Sequence, residues 1–210
     1  MIVRPYRPGD RDAVREICCD TADSGKPVER FFPNREVFAD LLTRYYTDIA
    51  PEPVWIADDA GEVAGYLTGC LDTRRYLRAM AFRIAPLAFL KALARGALWH
   101  PLTRKLIAAN FGDWVRGRRQ DIGHYPAHVH INLRPVARGS GVGEQLMDAF
   151  LRQAKDAGIA GVQASVSEDN AGGRRFFEKC GFVPQGRENR MRFPDAPETQ
   201  TFTIIYGKRL

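Results

Sequence analysis

The sequence predicts a mixed α/β fold, and three observations carry that reading. Short runs of alternating or continuous apolar residues, at 54–57, 63–71, 128–133 and 161–166, have the length and period of strands. Longer runs repeat every three to four residues, as helices do. A Gly-rich turn, Arg138–Gly143, joins one such strand directly to one such helix. The two kinds of element interleave along the chain, the pattern of a sheet covered by helices.

Each element follows in order. Residues 1–5 read as a first strand, and Pro8-Gly9-Asp10 as a turn with Asp10 capping a helix that carries Val14, Ile17 and Cys18 on one side. Pro33-Asn34 opens a second helix with Val37, Phe38, Leu41, Leu42 and Tyr45 at helical spacing. The runs at 54–57 and 63–71, joined by Asp58-Asp59-Ala60-Gly61, form a hairpin. Residues 74–119 break this rhythm. Leu77, Met80, Ala81 and Ile84, then Leu87, Leu90, Leu93 and Leu98, predict two or three amphipathic helices punctuated by Pro86, Gly96 and Pro101. The strand at 128–133 ends at Pro135, and the helix after the Gly-rich turn carries Val142, Leu146, Ala149, Phe150 and Ala157 on one face before Gly158 stops it. A buried strand at 161–166, a helix from Asn170 to Cys180-Gly181, and strands at 182–183 and 201–206 complete the chain.

With 210 residues, 45% hydrophobic and 27% charged, the chain suits one domain over 1–210, with a helical insertion at about 74–120. No apolar run reaches the roughly 18–20 residues that span a bilayer, and the charged start lacks the apolar stretch of a signal peptide. Cys18, Cys19, Cys70 and Cys180 form no C-x-x-C pair and have no His at ligand spacing, so reduced thiols, no metal site and a cytoplasmic location are expected. The net charge of +6 is segregated. Residues 73–120 hold eleven Lys or Arg against one acid, Asp113, while the rest holds twenty basic and twenty-four acidic residues. Three readings of this segment stand: a helical cover packed over the sheet with solvated charges, recognition of an acidic ligand or of a phosphate, and attachment to anionic lipid or nucleic acid. No nucleic-acid motif supports the last, and Trp99 and Trp114 are too few for a stacking platform. The position of the segment, between the hairpin and the strand at 128–133, points to a part in shaping a pocket beside that strand.

The Gly-rich turn carries the chemistry. It leaves several backbone N–H groups free at a helix N-terminus, where the helix dipole favours a phosphate or pyrophosphate. Its glycines let the backbone approach the anion, and Arg138 adds a charged donor. The spacing does not fit a nucleoside-triphosphate loop, and no acid stands where a dinucleotide site needs one.

The run V-x-I-x-L-x-P-x-x-R-G-S-G-V-G-x-x-L-M, from Val129 to Met147, resembles the main cofactor motif of the GNAT superfamily of acetyltransferases. N-x-x-x-x-x-F-F-E-K-C-G-F, from Asn170 to Phe182, is similar to that superfamily's next motif, and I-V-R-P-Y-R-P-G-D to its start. Y-P-A-H-V-H-I, residues 125–131, is further similar to bacterial acetyltransferases related to the acetyltransferase-like domain of O-GlcNAc hydrolase. The resemblance implies a GNAT fold with a central mixed sheet that splays at the cofactor site, and acetyl-CoA as cosubstrate. It makes Arg138, Gly139, Ser140, Gly141, Val142 and Gly143 the pyrophosphate cradle and pairs the Leu133 backbone with the pantetheine arm. It brings Asn170 and Phe176 to the cofactor, although Asn170 equally suits a plain helix N-cap.

The implied reaction is direct attack of a primary amine on the thioester. A lysine-like amine costs about 4–5 kcal/mol to hold neutral at pH 7, so a base helps. His128 lies ten residues before Arg138, where the resemblance places the base, and is the first candidate; His130 is the second and shares its strand face with Asn132, and packing or hydrogen bonding is the plainer role for both. Phe177 stands where the family usually has a Tyr general acid, and it cannot donate a proton. That departure leaves a second reading, a GNAT-fold module that binds acyl-CoA with weak or no turnover. The expected partner is a small-molecule or peptide amine, with no nucleic acid and a homodimer open.

Overall fold

The computed structural model describes residues 1–116, 122–194 and 201–210. Arg118 and Arg119 of the basic segment, and the side chain of Trp114, lie outside the described residues. Among those described, seven strands make one sheet: β1 (Ile2–Pro5), β2 (Val54–Asp59), β3 (Glu62–Cys70), β4 (Ala127–Leu133), β5 (Gly161–Ser167), β6 (Val183–Asn189) and β7 (Phe202–Arg209). Their order is β1-β2-β3-β4-β5-β7-β6. The central pair β4–β5 is parallel and the other pairs are antiparallel. This is the mixed sheet that the sequence predicts.

Strand alternation sorts the side chains between two faces. Ala57, Leu67, Val129 and Val162 point toward α6 (Val142–Asp156) and α7 (Ala171–Lys179), where Leu146, Met147, Phe150 and Tyr206 complete the core. Ile56, Tyr66 and Cys70 point the other way, to α1 (Arg11–Asp20) and the end of α2 (Arg35–Arg44), against Val14, Ile17 and Tyr46. All four cysteines are free thiols; burial pushes Cys18 up to about 12 and the other three to about 11, so none is a ready nucleophile.

Several local expectations change. Helix α6 ends at Asp156 with Ala157 exposed, and Ala154 fills the expected inward place one turn earlier. Asp10 does not cap α1; its carboxylate accepts from Arg4 and from the Arg7 N–H, tying β1 to the turn. Leu42 is exposed because α2 buries Val37, Ala39, Asp40 and Thr43 and then widens into a π-helical turn, Tyr45–Ile49, which turns both Tyr45 and Tyr46 inward.

The insertion forms α3 (Thr73–Ala79), a π-helical turn (Met80–Ile84), α4 (Ala85–Ala94) and α5 (Pro101–Arg116). Pro86 does not end the helical run: it sits in the first turn of α4, directly after the π-helical turn, and Ile84 and Ala85 before it stay in helical conformation. The expected inward leucines Leu87, Leu90 and Leu93 face outward. Helix α4 packs on α2 through Ala88 and Ala92 instead, since small residues let the two backbones approach and Lys91 reach Asp40 at 2.5 Å. Asp40 also lies 2.7 Å from the Arg15 guanidinium, so one buried carboxylate joins α1, α2 and α4. Burial works to raise this carboxyl, and the hydrogen bonds from Lys91 and Arg15 outweigh it and hold the pKa below the usual range. Helix α5 packs Leu106 against Val28, Phe31 and Phe193, and Asn110 bonds the backbone of Arg192 in both directions.

Gly69 of β3 fits because α6 crosses close above it. A Cβ there would lie 2.2 Å from the Phe150 ring and 2.7 Å from the Pro53 carbonyl. Gly69→Ala should therefore destabilise the chain by about 1–3 kcal/mol, the usual cost of overpacking a full core. Urea unfolding reads this directly, and an unchanged midpoint would contradict the packing described.

Candidate active site

Strands β4 and β5 pair over three residues and then part. Ala127, His128 and Val129 stand opposite Val162, Gln163 and Ala164, and no pairing follows. Each arm is held by its outer neighbour instead, β4 by β3 as far as Leu133 opposite Gly65, and β5 by β7 as far as Ser167 opposite Thr203. The parted arms expose backbone N–H and C=O groups that water or a ligand must satisfy. The gap is a cleft of about 830 Å³. His130 and Ser165 are the first residues beyond the apex, and both line it.

The open end of the cleft meets the Gly-rich turn. Gly139 and Gly141 take positive φ of 76° and 82°, which glycine alone adopts cheaply, and both face open space where a Cβ would stand. Ser140 Oγ donates to the Ala137 carbonyl and bends the turn, and α6 begins at Val142. The first-turn N–H groups of α6 have no intrahelical acceptor and carry the positive end of its dipole. Gly143 is close-packed: a Cβ would lie 3.2 Å from Phe176 and 3.3 Å from Leu133. Arg138 Nε donates to the Leu133 carbonyl at 3.2 Å, and its guanidinium lies over Gly25 of the α1–α2 connection. Bare glycines, a helix N-terminus and a guanidinium suit a pyrophosphate, and the parted β4 edge suits an extended amide-bearing arm.

The two histidines have different surroundings. His128 is buried. Its Nε2 lies 2.8 Å from the Tyr46 hydroxyl, its Nδ1 lies 2.8 Å from Thr73 Oγ1, and the Tyr76 ring stacks edge-on at 4.7 Å. A neutral imidazole matches two hydroxyls, since one ring nitrogen donates and the other accepts. Burial, with the His130 ring beside it, pushes the His128 pKa down to about 3. His130 is exposed in the cleft, 5.8 Å from the His128 ring and 6.2 Å from the Tyr46 ring, centroid to centroid.

Asn170 caps α7, its Oδ1 accepting from the Gly173 N–H at 2.9 Å, and also lines the cleft. Phe176 closes the side of the cleft next to α6. Phe177 is buried, edge-on to Phe182 and stacked on Tyr206. The Tyr206 hydroxyl is bonded to Glu178. Sequence reasoning missed Ser165, Thr203, Thr21 and Arg190, which also line the cleft. For Ser165 a signal existed: on β5 it alternates with the core residues Val162, Ala164 and Val166. Tyr46 and Thr73 gave none, because only the fold brings them to His128.

With this geometry in view, the similarities to known proteins follow. A model of the Acetyltransferase (GNAT) family matches residues 113–182, which include β4, the Gly-rich turn, α6, β5 and α7. The crystal structure of SsHAT is similar at 30% identity over 99% of this chain and 97% of that one, with a TM-score of 0.75. An N-acetyltransferase from Staphylococcus aureus Mu50 shares the fold at 15% identity over 99% and 97% of the two chains, TM-score 0.62. So does a GNAT superfamily phosphinothricin acetyltransferase from Sinorhizobium meliloti in complex with acetyl-CoA, at 16% identity over 100% and 88%, TM-score 0.62. The chain belongs to the GNAT family, as an acetyltransferase that uses acetyl-CoA.

Proposed function

We propose that the chain transfers the acetyl group to a primary amine by direct attack at the apex of the β4–β5 cleft, with His130 taking the amine proton. The observation that carries this reading is the position of His130, the first cleft-lining residue past Val129 on the parted strand. Pyrophosphate on the Arg138–Gly143 turn and the pantetheine arm along Leu133 would bring the thioester toward that apex, with Asn170 and Phe176 at its side. The amine nitrogen attacks the carbonyl carbon, the C–S bond breaks, and the sulfur leaves with the electron pair. The amine proton passes to the imidazole, directly or through one water. Phe177 supplies no proton, and a thiol with a pKa near 8.5 is a tolerable leaving group as thiolate. His128 serves as a positioning residue, fixing β4 to Tyr46 and Thr73 beneath the base.

Two variants separate these roles. His130→Ala should lower kcat/KM about 10²-fold or more at neutral pH, with little change in acetyl-CoA affinity. The deficit should shrink above the pKa of the amine, where the acceptor arrives neutral. Release of free thiol measures both; a His130→Ala enzyme with full activity would remove the assignment. His128 should show in stability. Its unfolded pKa is near 6.5 and its folded one about 3. The unfolded chain therefore binds a proton that the folded chain refuses below pH ~6.5. The stabilisation is complete above that pH and is lost as pH falls toward 3, by up to about 1.4 kcal/mol per pH unit. His128→Gln should flatten the fall in urea midpoint between about pH 7 and about pH 5; a slope equal to wild type would contradict the buried neutral imidazole.

We also infer the charge of the acceptor. Among the described residues, no carboxylate lines the cleft; of the arginines that do, Arg138 belongs to the pyrophosphate turn and Arg190 is paired with Asp23 and Asp169, which leaves Arg175 to meet an anionic group on the acceptor. Asp23, next to the cleft, is taken by Arg30 at 2.6 Å and Arg190 at 2.9 Å. Amines that also carry a carboxylate should be acetylated at least about tenfold faster, in kcat/KM, than polyamines of similar size. A preference for polyamines in a thiol-release screen would overturn this.

A further inference from the structure

Helix α4 and the turn before it keep small side chains inward and turn large apolar ones outward. Phe82 is 83% exposed, Trp99 69%, Leu90 58%, Phe89 57% and Leu93 45%. An amphipathic helix that serves only its own core does the reverse, and an apolar patch of this extent marks a surface that something covers. Arg74, Arg75, Arg78, Arg83 and Arg95 stand among these side chains, exposed and without an ion pair among the described residues. From 73 to 112 the sequence holds eight Lys or Arg and no Asp or Glu. No described helix is long and apolar enough to cross a membrane.

We propose that the outward face of α3, its π-helical turn and α4 lies on an anionic lipid bilayer. Phe82, Phe89, Leu90 and Trp99 enter the boundary between headgroups and acyl chains, and the arginines pair with lipid phosphates. Charge selects this occupant. A second copy placed on the same face by two-fold symmetry would set one unneutralised cationic surface against another, whereas an anionic leaflet neutralises it at about 1 kcal/mol per basic residue. Pairing by Lys91 is already spent on Asp40 and Glu36, so the free arginines carry the attraction. The proposal does not depend on which amine is acetylated.

Flotation of the full chain with vesicles tests it, using phosphatidylcholine alone and equal parts phosphatidylcholine and phosphatidylglycerol. Binding should be at least about tenfold tighter to the anionic vesicles and should weaken as salt is raised. Phe82→Ser and Leu90→Ser together should lower it by at least about tenfold, as should Arg83→Glu with Arg78→Glu, while circular dichroism and thermal unfolding stay those of the parent. Equal or absent binding to the two kinds of vesicle would overturn the proposal. So would a dimer, seen by light scattering, that the Phe82→Ser and Leu90→Ser pair converts to monomer in a chain that ignores vesicles. Binding to duplex DNA without binding to vesicles would overturn it in favour of nucleic acid.

Discussion

The parting of β4 from β5 after three paired residues is the constraint on which the site depends. Two parallel strands that continued in register would bury their edges in each other and leave no cleft. Here β3 and β7 keep their grip on the outer edges, so both arms stay ordered while their inner edges stay open. An open edge has unpaired N–H and C=O groups, and an extended ligand with amide groups satisfies them as an added strand does. The Gly-rich turn lies where β4 ends, so one short stretch of chain holds both the open edge and the glycines and helix N-terminus that suit an anion. Arg138 links them through the Leu133 carbonyl, and its contact with Gly25 brings in the connection after α1.

The insertion supports this arrangement from the other face. Thr73, at its start, holds one nitrogen of His128, and Tyr46, from the π-helical turn after α2, holds the other. Strand β4 is thus fixed by hydrogen bonds immediately before it parts. Helix α5 reaches the segment at 190–193 through Asn110 and Leu106, and that segment carries Arg190 into the cleft wall. The helices therefore brace β4 and the 190–193 wall of the cleft through packing, while their outward face carries the apolar and basic residues that the core does not use.

Much of this was legible in the sequence. The strands and helices around the Gly-rich turn have strong periodicity and clear punctuation, and the resemblance of 129–147 and 170–182 to one superfamily fixed their use. The insertion misled because it has two apolar stripes, one of Ile84, Ala88 and Ala92 and one of large residues. Period alone gives no means of choosing, and close approach to α2 selects the smaller stripe. Spacing from Arg138 favours His128 over His130 as the base, and it misleads for a similar reason. Both lie on one strand face, but whether a face position is buried or open depends on what stands above it, and the covering Tyr46, Thr73 and Tyr76 come from 52 or more residues before His128 in the chain, beyond any local rule. The same distance hid Arg190.

Amide hydrogen exchange with and without acetyl-CoA tests the central claim most directly. If the parted strands are the cofactor edge, protection should rise at 130–133 and 139–144 on binding. It should stay unchanged at 127–129, where β5 already occupies the partner position. Protection gained elsewhere, with 130–133 exchanging as before, would contradict the account.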